Sequence, residues 1–113
     1  MPSLPLSEKV RIEVYLPDAP KVAYWTLLNE LDLEFTHTFG GATTIRGMAG
    51  SYLSVAGLPI KDRVSLIYTD ISASLTKNLA FVTQYAEKLK RAVFAALQEE
   101  SVLVAVSRVC HVD

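Results

Sequence analysis

Apolar residues take every second position from Val10 through Ile12 and Val14 to Leu16, with Arg11, Glu13 and Tyr15 between them. Successive side chains of an extended chain point to opposite sides, so this alternation predicts a strand with one face on a core, stopped by Pro17. The period then lengthens. Val22, Trp25, Leu28 and Leu31 recur at helical spacing with Tyr24 and Leu27 beside them, which predicts a helix over 19–33 with Asp18 as its cap and Pro20 in its first turn. Segments 43–55 and 62–70, rich in Thr, Ile, Val, Leu and Tyr, read as two strands of a hairpin around Gly57, Leu58 and Pro59.

Beyond the loop that follows, Leu79, Val82, Ala86, Leu89, Val93 and Leu97 fall on one stripe of a second helix, capped by Thr76 and ending near Glu99. Val102, Val104 and Val106 alternate with Leu103, Ala105 and Ser107 in a last strand that opens at Ser101 and runs to Cys110. The order is strand, helix, strand, strand, helix, strand, with no linker. It predicts one domain over residues 1–113 of α+β class. The expected architecture is ferredoxin-like, a split βαβ arrangement with a four-stranded antiparallel sheet and both helices on one face. A chain of 113 residues can bury about two-thirds of its unfolded surface, so it needs no disulfide or metal staple.

With this order of elements, the run Gly40-Gly41-Ala42-Thr43 at the opening of the second strand resembles small bacterial ferredoxin-like domains. Among them are PII-like and CutA-like signalling proteins, dimeric α+β barrel proteins, and uncharacterised families that share a Gly-Gly-x-Thr opening. The resemblance covers nearly the whole chain as topology, together with that one motif, and implies a bacterial protein. PII-like proteins reach nucleotides with a long loop between their second and third strands, whereas residues 57–61 are a short turn. The barrel group includes monooxygenases and haem-handling enzymes, but none of their motifs is present and no catalytic residue carries over.

Charge narrows the partners. Eleven Lys and Arg stand against twelve Asp and Glu, so there is no basic excess to neutralise a phosphate backbone and no nucleic-acid partner is expected. The start MPSLPLSEKV lacks the apolar centre of a signal peptide, and no apolar run is long enough to span a bilayer, so the expected location is the cytoplasm, away from membranes. Cys110 is the only cysteine, and adjacent His111 should lie on the opposite face of the strand, which leaves the thiol without an activating neighbour. His37 and His111 are far apart in sequence, so no metal and no cofactor are expected.

Candidate chemistry gathers around four of the five glycines, Gly40, Gly41, Gly47 and Gly50. The stretch follows a helix and enters a strand, the reverse of the order that aims a helix N-terminus at phosphate. Two readings remain. In the favoured one Gly40 ends the helix in a left-handed conformation, Gly41 starts the strand, and Gly47 and Gly50 permit a bulge or bend. In the other, Gly40 and Gly41 let a small anionic ligand approach the backbone. Arg46 would then offer its fork of donors, His37 a base near neutral pH, and Tyr52 and Asp62 further polar contacts.

The sheet face left uncovered by the helices is expected to collect Tyr15, Ile67, Leu103 and Ala105 with polar Arg11, Glu13 and Ser107, a partly apolar surface that invites a homo-oligomer. The expected function is a small oligomeric ligand-binding or regulatory module. One alternative is a dimeric α+β barrel enzyme using His37 or Tyr52 with Arg46 on a small organic acid or oxygenated metabolite. The other is a protein–protein interaction module on the open face. Convergence of His37, Arg46 and Tyr52 in one enclosed pocket would favour the enzyme; separation on a wet surface would favour a module.

Overall fold

The computed structural model describes residues 6–18, 21–97 and 102–112. Its elements are β1 (Leu6–Pro17), α1 (Val22–Phe39), β2 (Thr43–Leu53), β3 (Pro59–Ile71), α2 (Leu79–Leu97) and β4 (Leu103–Val112). The four strands form one sheet in the order β2-β3-β1-β4, and every neighbouring pair is antiparallel. Val10, Ile12, Val14 and Leu16 of β1 are fully buried, as their alternation requires. The core joins Ile12, Val14, Leu16 and Ile67 to Leu27, Leu28, Leu31 and Phe35 of α1 and Leu89 and Val93 of α2, so both helices lie on the same side of the sheet.

α1 departs from expectation in three ways. Its buried stripe is Tyr24, Leu27, Leu28, Leu31 and Phe35, while Val22 and Trp25 are exposed. A helix has about 3.6 residues per turn, so a strict every-third series drifts around the axis and only a mixed three-and-four spacing stays on one face. Second, the helix runs on to Phe39, because nothing between Leu33 and Gly40 breaks it. Third, Asp18 does not cap it: the residue preceding α1 is Lys21, extended and without a side-chain cap bond, and Asp18 pairs with Arg46 instead. Ala19 and Pro20, part of the expected first turn, lie outside the described residues.

Gly40 ends α1 at φ 94°, its amide donating to the Thr36 carbonyl at 2.9 Å. This is the left-handed helix stop that a side chain would strain. At the start of α2 the Asn78 carbonyl accepts the Val82 amide at 2.9 Å, and the Asn78 side chain donates to the Ser74 carbonyl at 2.8 Å. The helix thus begins three residues after Thr76. Glu99 and Ser101, the expected end of α2 and start of β4, fall outside the described residues.

β2 and β3 are joined by a tight turn in which the Ser54 amide donates to the Leu58 carbonyl and the Gly57 amide to the Ser54 carbonyl. Between Ile45 and Met48 the β2–β3 register shifts, with Gly47 at φ 72° inside the bulge. β1 follows β3 only from Ile71 back to Val64, where it reaches Pro17. Residues 50–53 and 59–62 therefore continue as a two-stranded ribbon beyond the third strand, and the molecule measures 55 × 30 × 25 Å.

One face assignment is corrected. Ile67, expected on the uncovered face, pairs with Val14 and is fully buried in the core beneath the helices. Side chains alternate in β3, so a slip of one position exchanges the faces, and the uncovered face receives Leu66 instead. Among the described residues no helix is long and apolar enough to cross a membrane.

Candidate functional site

The uncovered face is built by three strands. β1 contributes Arg11, Glu13 and Tyr15; opposite them stand Asp70, Tyr68 and Leu66 of β3 on one side and Ser107, Ala105 and Leu103 of β4 on the other. Arg11 donates from Nε to Asp70 Oδ1 at 2.8 Å and from Nη2 to Oδ2 at 2.9 Å, a two-pronged match of planar fork to carboxylate. Its guanidinium also lies over the Tyr68 ring, 4.1 Å from the centroid. From β4, His111 places Nε2 at 3.0 Å from the same Asp70 Oδ2.

Asp70, with a side chain 16% exposed, is thus clamped across three strands. Its bond to Arg11 holds the carboxyl below the usual carboxylate range, against the opposing effect of burial, and His111 adds to the lowering. The same bond raises the Arg11 guanidinium above its ordinary value. Along the strand, Tyr15 donates its hydroxyl to Glu13 Oε2 at 3.0 Å; burial first, and then that carboxylate, push the phenol up. At the other end Lys9 Nζ donates to Ser72 Oγ at 2.7 Å. The face therefore runs from a fixed polar cluster to an apolar end where Leu66 is buried and Leu103 is 55% exposed.

Asp70 thereby ties Arg11 of β1 and His111 of β4 to β3. The arrangement orders a surface and offers directional polar contacts to whatever covers it.

The residues singled out around the glycines do not assemble. Gly40 and Gly41 border a shallow pocket of about 320 Å³ with Ala42, Thr43, Thr69 and Asp70. There the Gly41 carbonyl accepts the Thr69 hydroxyl at 2.7 Å. His37 is exposed on the last turn of α1. Arg46 sits at the bulge, donating to Asp18 at 3.0 Å, and borders a different pocket with Trp25 and Asp32. Tyr52 pairs with Ile60 far along the ribbon, and Asp62 accepts the neighbouring Arg63 amide at 2.8 Å. From Thr43 to Leu53 a strand extends roughly 30 Å, so the two ends of this set cannot meet around one small ligand.

Asp70, Tyr68, His111 and Leu66 escape a reading by local pattern because their partners are remote in sequence. One signal was present: a charged residue inside each of two strands, Arg11 and Asp70, of opposite sign. Cys110 is exposed. Among the described residues no three His, Cys, Asp or Glu side chains come together to hold a metal ion. Comparison with known proteins finds no family profile, no curated protein and no solved structure that matches this chain.

Proposed function

We propose that residues 1–113 form one ferredoxin-like domain that works as a homo-oligomeric ligand-binding or regulatory module of the bacterial cytoplasm, with the uncovered sheet face as its working surface. The observation that carries this reading is that face itself. Helices cover one side of the sheet only, and the other side presents Tyr15, Leu103 and Ala105 beside the clamped Arg11–Asp70–His111 cluster. A surface part apolar and part fixed in polar geometry is what a specific protein contact needs: burial for affinity, ordered charges for register. The order of elements and strands supports the topological resemblance to PII-like, CutA-like and dimeric α+β barrel proteins.

The enzyme alternative has less support, since His37 and Arg46 stand apart and Arg46 is engaged by Asp18. An anion at Gly40 and Gly41 has less support, since the pocket they border is lined by no Lys, Arg or His among the described residues. The test is light scattering at tens of micromolar on the wild type and on Leu103→Asp. The wild type should be a dimer or larger, and the variant, exposed at this position, should fall to monomer with unchanged circular dichroism. A wild-type monomer at that concentration removes the reading.

A further inference from the structure

A chain that pairs through one face about a two-fold axis sets that face against its own copy, so any net charge on the face meets the same charge across the contact. Where β1, β3 and β4 run side by side, the uncovered face holds Lys9, Arg11 and Glu13 of β1 and Asp70 of β3 as its fixed charges among the described residues. Two positive charges against two negative ones leave it neutral. Glu8 and Arg108 pair with each other at 3.9 Å from positions that alternation sends to the helix-covered side. The phenols of Tyr15 and Tyr68 add no charge near neutral pH.

His111 is the group that can upset this balance. Its ring lies on the same face with Nε2 3.0 Å from Asp70 Oδ2, and its side chain is 42% exposed, so protons reach it from solvent. Histidine takes up its proton around neutral pH, inside the range where lysine, arginine and carboxylate side chains keep their charges. Asp70 brings one negative charge, and Arg11 already balances it through bonds of 2.8 and 2.9 Å. Protonation of His111 therefore turns the cluster, and with it the whole face, from neutral to singly positive. The chain's other histidine, His37, is exposed on the last turn of α1, on the opposite side of the sheet.

We infer that self-association through the uncovered face is governed by pH, with neutral His111 permitting the contact and protonated His111 opposing it. The inference rests on the reading of that face as the contact between copies, and adds its regulation. Pairing two protonated copies brings two unbalanced positive charges into one contact and withdraws water from both. Linkage then sets the direction: a contact that binds fewer protons than its separated halves tightens as pH rises and loosens as pH falls. The apolar end of the face, with Tyr15, Leu103 and Ala105, holds the copies together in either state, while His111 sets how far the contact is opposed.

The test is sedimentation from about pH 8 down to about pH 5.5 at one ionic strength, on the wild type, His111→Gln, His111→Lys and His37→Gln, with circular dichroism at each pH to verify the fold. The wild-type concentration for half-dissociation should rise at least about tenfold over that range, and His37→Gln should follow it. His111→Gln should associate as tightly at the acid end as at the alkaline end. His111→Lys, charged throughout, should be as weak at every pH as the wild type is in acid. A wild-type dimer whose half-dissociation does not change with pH overturns the inference and leaves the face contact standing. A His111→Gln chain that keeps the wild-type slope overturns it equally, by assigning the titration to another group. A wild type monomeric at both ends of the range removes the face contact itself, and the inference with it.

Discussion

Gly40 and Gly41 are adjacent and chemically identical, yet only the first has a backbone that excludes side chains. Gly40 sits at φ 94° with open space where a Cβ would go, whereas Gly41 has the same open space and no positive φ. Gly40→Ala should therefore cost about 1 kcal/mol of stability from backbone strain alone, and Gly41→Ala should be close to neutral. Urea denaturation midpoints of the two variants decide it, and equal midpoints would mean that the helix stop does not depend on the left-handed conformation. Arg46→Ala should change stability by less than about 1 kcal/mol, since the pair with Asp18 is at the surface and the Arg46 side chain is 52% exposed. Asp70 is different. Its carboxyl titrates lower in the folded chain than in the unfolded one, so its contribution is complete above the ordinary carboxylate value and is lost as pH falls through the lowered one. Asp70→Asn should cost about 1–3 kcal/mol at neutral pH, and its stability should fall less than that of the wild type as pH is taken down through the carboxylate range. Parallel pH profiles for the two proteins would show that the clamp contributes nothing.

At the level of elements, β1 and α1 show how much a local pattern reveals. The alternation of β1 translated directly into burial, because a period of two admits only two faces and one of them had to be apolar. Val14→Asp, which places an unpaired charge between sheet and helices, should cost several kcal/mol and unfold the chain; an unchanged melting temperature would contradict the core described for β1. The stripe of α1 was legible as a helix but its orientation was not, since apolar residues on adjoining positions leave the angle of the buried face to be chosen by packing. β3 holds a further consequence of packing. Ser65 is fully buried with no hydrogen-bond partner for its hydroxyl among the described residues, so Ser65→Ala should raise stability by about 1 kcal/mol in urea titrations, and a loss of that size would show that the hydroxyl is satisfied.

For the whole molecule, the sequence by itself determined the class and the order of elements, with Pro17 as the end of β1 and Gly40 as the left-handed residue after α1. Each depends on short-range physics: the period of two or about 3.6, the restriction of proline, and the freedom of glycine at Gly40 and Gly47. Only the tertiary structure decided which residues meet. Arg11 and Asp70 are brought together by the β1–β3 register, and His111 by a third strand, so the cluster follows from pairings between segments that carry no information about one another locally. The same reason moved Ile67 into the core, parted Arg46 from Gly40 and Gly41, and sent the β2–β3 ribbon past the end of β1. In each case a difference of strand length or register, which no local pattern expresses, set the distance between side chains.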